Sequence, residues 1–161
     1  MGIVVNDAEK AACEYWDLLG IGPWTLIDFK PPYVTEGVLH GIAMNTTDFH
    51  VRAALADHEG LQLELLEPVY GPSTHREFLK THGQGIHHLS FGAVPDHDHM
   101  VAALERHGCE IESTGLLGGA VTFTYMATQQ ALGTVFEVVK THPGVEMTIK
   151  PYGTYPPRKA R

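Results

Sequence analysis

Two seven-residue stretches repeat one pattern. Gly60-Leu61-Gln62-Leu63-Glu64-Leu65-Leu66 and Gly133-Thr134-Val135-Phe136-Glu137-Val138-Val139 each set a glutamate four residues after a glycine inside an apolar run. The segments that open the two halves also agree. MGIVVNDAEKAACEYWDLLGIG reads as a short strand, an Asp7 cap, a helix with Ala11, Ala12, Tyr15, Leu18 and Leu19 at helical spacing, and a stop at Gly20. HLSFGAVPDHDHMVAALERHGCEI reads the same way, with Asp96 as cap, Met100, Val101, Ala103 and Leu104 on the helix, and Gly108 as stop. Alternating runs at 24–29 and 49–58 add strands to the first half, and runs at 110–116 and 121–128 add them to the second. Each half is then strand, helix, strand, strand, strand, and internal duplication accounts for the agreement. A βαβββ unit alone leaves one sheet face uncovered, so the two must share a concavity. The expected fold is α+β, with paired βαβββ modules forming a curved mixed sheet around a metal-binding cavity.

The expected modules are 1–70 and 85–142, joined by a linker helix within 71–84, where Thr74 and Glu77 have capping-box spacing. Lys30 to Asp48 has no counterpart in the second half and reads as a loop or flap, and 143–161 reads as an extended tail. With 43% hydrophobic residues the chain of 161 can bury a sizeable core. A net charge of −8 with scattered Lys and Arg speaks against a nucleic-acid face. No apolar run approaches the roughly 18 residues of a membrane span. The expectation is a cytoplasmic protein in which Cys13 and Cys109 stay as core thiols.

Eleven histidines stand out. His97, His99 and His107 read as solvated helix-end residues, and His40, His50, His58, His75, His82 and His142 as isolated surface or turn residues. The pair in GIHHLSF is different. Strand alternation sets His87 with Leu89 and Phe91, toward a covering helix, and His88 with Ser90, toward the concavity. Glu64 shares the inward face of its strand with Gln62, and Glu137 lies in a strand apolar on both faces. A lone buried carboxylate is expensive unless paired or metal-bound. Glu64, His88 and Glu137, on separate strands of a duplicated sheet, suit a divalent Zn, Co, Ni, Mn or Fe ion; the alternative is a structural Glu/His hydrogen-bond cluster. Trp24, Tyr33, Phe123 and Tyr125 read as core.

LELLEP, FLKTHGQGIHHLSF and LGTVFEVV resemble the vicinal oxygen chelate superfamily, and especially its methylmalonyl-CoA epimerase branch, over Met1 to about Thr141. The resemblance implies metal ligands at Glu64, His88 and Glu137. It also implies a fourth ligand, a histidine seven residues before Asp7, which falls one position ahead of Met1; the expectation is a natural start upstream of Met1, the alternatives being a site that works with three ligands and one that has lost its metal. Tyr125-Met126-Ala127-Thr128 departs from the branch, and no role carries over there. The implied activity is that of a metal-dependent isomerase, epimerase or lyase acting by proton transfer next to a carbonyl of a small molecule, in a homodimer. Glu137 is then both ligand and base, Glu64 the facing carboxylate, and Gln62, Ser90 and Arg52 the substrate-binding residues. Arg52 reads equally as a solvated edge residue. An Fe(II) extradiol-type dioxygenase and a non-catalytic binding or resistance protein of the same fold are the alternatives.

Overall fold

The computed structural model describes residues 1–44 and 49–157. Along the chain come β1 (Gly2–Val4), α1 (Ala8–Leu19), β2 (Trp24–Phe29), β3 (Val34–Leu39), β4 (Ile42–Ala43), β5 (His50–His58), β6 (Leu61–Tyr70) and α2 (Thr74–His82). They are followed by β7 (Gly85–Ala93), α3 (His97–Arg106), β8 (Ile111–Leu117), β9 (Val121–Met126), α4 (Gln129–Leu132), β10 (Val135–Thr141) and β11 (Gly153–Tyr155). The strands form one curved mixed sheet in the order β11-β2-β5-β6-β1-β7-β10-β9-β8-β3-β4. Outward from its centre the order is β1-β6-β5-β2 on one side and β7-β10-β9-β8 on the other. Each inner pair, β1 with β6 and β7 with β10, is parallel, and the antiparallel pair β1–β7 joins the two sides. This is the expected α+β architecture.

The helix signals act as their chemistry requires. Asp7 accepts from Lys10 N at 2.9 Å and Asp96 from His99 N at 3.0 Å. Gly20 closes α1 at φ 69°, a left-handed conformation that glycine adopts without a Cβ clash. The linker helix differs from expectation: its cap is Ser73, whose Oγ accepts from Arg76 N at 3.1 Å, and Thr74 is a buried first-turn residue. A hydroxyl accepts that amide only from the extended residue preceding the helix, so the cap lies one position earlier than the Thr74–Glu77 spacing suggests.

The segment read as a loop or flap, described over 30–44, holds two strands, and the tail read as extended holds one. Within 30–48, β3 and β4 form a hairpin on the outer edge of β8, with Val34 opposite Leu117 and Leu39 opposite Ser113. In the tail, β11 pairs with β2, Tyr155 opposite Trp24, after Thr148 N has bonded Gly118 O. The tail therefore runs from the β8–β9 turn back to the opposite sheet edge.

Alternation sorts the core. Ile3, Leu63, Leu65, Ala54, Ala56 and Trp24 pack under Ala8 and Ala12 of α1. Val4, Ile27, Val51, Ala53 and Leu66 pack on the opposite, concave side together with Phe78 and Leu79 of α2. Under α3 lie Met126, Val138 and Cys109, and both cysteines are free thiols. Leu89 and Phe91 depart from expectation, being 37% and 85% exposed. The α3 helix packs on β9 and β10, so Phe91 touches little besides the Phe136 ring at 5.3 Å. Three histidines read as surface residues are buried: His50 pairs with Asp28 at 2.7 Å, His97 bonds Thr124 at 3.1 Å, and His75 lies inside the concavity. Among the described residues no helix is long and apolar enough to cross a membrane.

The Ser73 cap gives a direct check. Ser73→Ala is expected to lower unfolding stability by about 1 kcal/mol, while Glu77→Gln stays within roughly 0.5 kcal/mol, by urea titration.

Candidate active site in the sheet concavity

Gly2 is the pivot of the site. It pairs with Glu64 of β6 on one side and His88 of β7 on the other, and Val135, two residues before Glu137, pairs with His88 in turn. A Cβ at Gly2 would run into the His88 imidazole, so the glycine opens the space in which that ring lies. His88, only 1% exposed, holds Nε2 at 3.9 Å from Glu64 Oε2 and 3.7 Å from Glu137 Oε2. The three residues chosen from the sequence thus come together at one imidazole nitrogen.

His87 departs from simple alternation. Gly2 is opposite His88 but Ile3 is opposite Ile86, so His87 is the extra residue of a β-bulge. The bulge lets both neighbouring imidazoles be buried, with Nδ1 of one 3.0 Å from Nδ1 of the other. One proton is shared across that contact. When it resides on His88 Nδ1, the lone pair of His88 Nε2 faces the two carboxylates, the tautomer a metal ligand needs.

The sequence reading passed over His75. From the first turn of α2 its ring lies 4.8 Å from that of His87, 6.3 Å from that of His88 and 5.4 Å from that of Tyr125. Ring nitrogens of His75, His87 and His88 fall within 4.8 Å of one another, a second possible metal-holding group. Like the 3.7 and 3.9 Å separations at His88 Nε2, that bound is wider than the roughly 3.3 Å between ligands of a tetrahedral ion with bonds of about 2.0–2.1 Å, so either group has to close in to hold one. Both nitrogens of His75 are buried without a hydrogen-bond partner among the described residues. The available signal was the stripe His75, Phe78, Leu79, His82, which has the spacing of a helix face turned to a sheet.

Burial dominates the electrostatics. It holds the imidazoles of His75 and His88 well below 6.5 and His87 at about 4, so all three are neutral at physiological pH. It raises Glu64, and it lifts Glu137 to about 8 with added repulsion from the Glu64 charge. The Tyr125 and Ser90 hydroxyls face Glu137 and favour its charged form, against the larger effect of burial. Two facing carboxylates that resist ionisation, beside a neutral imidazole, are a donor set that fits a divalent cation: its charge removes both penalties.

The remaining candidates divide. Ser90 and Gln62 line the cavity, Gln62 donating to Asp57 at 3.3 Å. Arg52 does not line it. It alternates with the inward Val51 and Ala53, so it lies on the α1 face, 3.2 Å from Glu67 and 3.8 Å from Glu9, away from any substrate in the concavity. Phe123 and Tyr125, read as core, line the cavity. The cavity, about 840 Å³, is walled on its other sides by apolar groups including Phe29, Val51, Val139 and Ile149.

The family model for the Glyoxalase/Bleomycin resistance protein/Dioxygenase superfamily matches residues 1–125. The chain belongs to this superfamily. Among solved structures it is similar to a hypothetical protein from Bacillus halodurans, at 19% identity over 90% of this chain and 94% of that one, TM-score 0.64. It is also similar to methylmalonyl-CoA epimerase from Mycobacterium tuberculosis, at 25% identity over 88% and 85% of the chains, TM-score 0.58. A Streptomyces coelicolor methylmalonyl-CoA epimerase variant in complex with 2-nitronate-propionyl-CoA matches at 19% identity over 90% and 94%, TM-score 0.60. No curated protein matches. Superfamily and neighbouring branch are those the sequence motifs resemble.

The shifted groups predict how the metal-free superfamily member responds to pH. The histidines are depressed, so the unfolded chain takes up protons below pH 6.5 that the folded chain refuses, and their contribution is lost as pH falls. The carboxylates are raised, so their contribution is lost as pH climbs toward about 8. Between pH 6.5 and 8 only the carboxylates act. With chelator present, the thermal midpoint is expected to fall across that interval and Glu137→Gln to flatten the fall; a rising midpoint contradicts the assignment.

Proposed function

We propose that this protein is a metal-dependent isomerase, epimerase or lyase that moves a proton next to a carbonyl of a small-molecule substrate. The observation that supports it is the convergence of Glu64 and Glu137 on His88 Nε2, at 3.9 and 3.7 Å, inside the concavity. In this reading Glu64, His88 and Glu137 hold one divalent ion, of the Zn, Co, Ni, Mn or Fe group. When bound, the ion draws negative charge onto the carbonyl oxygen of the substrate and so acidifies the neighbouring C–H.

The other steps belong to the chain. A Glu137 carboxylate oxygen takes the proton from the carbon and returns it. Its raised pKa, near 8 before a cation lowers it, allows both directions near neutral pH. Ser90 and Tyr125 hydroxyls orient that carboxylate, and Tyr125, its own pKa raised well above the usual phenol value by burial, stays a donor throughout. His87 keeps His88 in the ligating tautomer through the 3.0 Å contact. Gln62 and Ser90 meet the substrate at the polar end of the cavity. The βαβββ units at 1–70 and 85–142 supply one carboxylate each, and the working protein is a cytoplasmic homodimer.

Deuterium exchange tests the reading. Zinc- or cobalt-loaded protein in D2O is expected to exchange the α-protons of at least one compound in a panel of neutral and anionic enolisable carbonyls, followed by NMR. Glu137→Gln should slow exchange by about 10²–10⁴-fold. His88→Ala should abolish metal uptake, whereas His75→Ala should retain it. Exchange indifferent to Glu137→Gln, or metal uptake lost in His75→Ala alone, contradicts the assignment.

A further inference from the structure

We propose that the cavity takes an uncharged, largely apolar carbonyl compound, its oxygens at the Glu64–His88–Glu137 end and its bulk against Phe29, Val51, Phe123, Val139 and Ile149. The proposal rests on the proton-transfer reading only for which end of the substrate reacts.

The argument starts from the wall. Among the described residues, the lining contains no lysine or arginine side chain. Most basic side chains nearby are engaged elsewhere, and Lys150, between the lining residues Ile149 and Pro151, is exposed. Arg52 pairs with Glu67 and Glu9 on the α1 face, Arg76 donates to Pro68 O at 2.9 Å, Lys30 to Asp28 at 2.7 Å, and Lys140 lies with Asp98 at 3.5 Å. The amino group of Met1, at the rim, donates to Gln62 O at 2.8 Å and its charge is directed at Glu64 and Glu137. Glu64 and Glu137 are the acidic side chains of the lining, and with their charge taken up by the proposed ion the wall offers a substrate anion no cationic side chain. Moving a charged arm from water into such a wall is strongly unfavourable.

The apolar side is equally specific. The tail crosses the concavity with Met147, Ile149 and Pro151 in the lining, and Phe29, Val34, Phe49 and Val121 add apolar wall that only the hydroxyls of residues such as Ser113, Thr114 and Thr141 interrupt. At about 840 Å³ the space is near the upper end of the roughly 300–1,000 Å³ that encloses a whole drug-sized ligand. Among the described residues, His75 is the lining side chain whose buried polar atoms are left unpartnered. Buried in the wall with both nitrogens unpartnered, it can bond a hydroxyl or second carbonyl of the substrate but supplies no charge. The three features define a substrate class: a neutral carbonyl compound, apolar over most of its surface, with at most one further neutral oxygen function. A coenzyme A thioester of a dicarboxylic acid, with its carboxylate and phosphates, falls outside that class.

The test compares two probes with the same reacting end: 1-(4-tert-butylphenyl)-1,2-propanedione, with an apolar arm, and 1-(4-carboxyphenyl)-1,2-propanedione, with an anionic one. Methylmalonyl-CoA is the third ligand. Calorimetric titration of zinc-loaded protein is expected to give the tert-butyl compound a Kd at least 10-fold below those of the other two. Val139→Lys, with folding checked by circular dichroism, should shift the preference at least 10-fold toward the carboxylate arm. Equal or tighter binding of the carboxyphenyl compound or of methylmalonyl-CoA overturns the proposal, as does failure of the tert-butyl compound to bind; the wild-type pair decides the matter if the variant misfolds. Exchange of the methyl protons in D2O is read on the same samples. Tight binding of the apolar dione without exchange leaves the substrate class standing and removes the proton-transfer reading, while exchange of methylmalonyl-CoA without dione binding does the reverse.

Discussion

Two carboxylates and an imidazole share one buried spot, and much of the molecule is arranged to hold them there. Glu64 and Glu137 approach His88 Nε2 from strands on opposite sides of the β1–β7 junction, at 3.9 and 3.7 Å. Withdrawn from water, both carboxylates resist ionisation, and the Glu64 charge makes Glu137 resist it further. A fold does not keep such a group without compensation. Here the donor set fits a divalent cation, the compensation that the proposed function supplies.

The β1–β7 pair is where that spot is built. Gly2 leaves room for a ring where any side chain would collide with it. The bulge opposite Ile3 turns a second imidazole inward, so that His88 is steadied from behind by His87 while its other nitrogen faces the acids. Tyr125 packs against the rings of His75, His87 and His88 at 4.9–5.5 Å and also faces Glu137, tying the histidine cluster to the acidic one. Beyond this polar end the concavity turns apolar, so one cavity offers charge chemistry at one pole and a greasy, cation-poor wall at the other.

What the sequence made legible was whatever strict period governs. Glu64 and Glu137 could be matched because a duplicated strand repeats its spacing, and period-2 alternation aimed both inward. Arg52 obeys the same alternation, and applying it to Val51 and Ala53 would have put the guanidinium on the helix face. His87 was not legible because a bulge breaks the period at one residue, and that bulge is set by pairing with a strand more than 80 positions earlier. The β3–β4 hairpin and β11 were hidden for a related reason. Neither has strong strand character of its own, and both gain order by adding to exposed sheet edges formed by distant sequence. His75 carried only the short stripe of a nine-residue helix.

The central claim is that one cation belongs among Glu64, His88 and Glu137. Anomalous difference density from a crystal of cobalt- or zinc-loaded protein addresses it most directly. The account predicts a single strong peak in the concavity, within roughly 2.0–2.3 Å of a carboxylate oxygen of each glutamate and of His88 Nε2. A peak bound instead by His75 and His87, or a loaded crystal with no peak beside the two carboxylates, would contradict it.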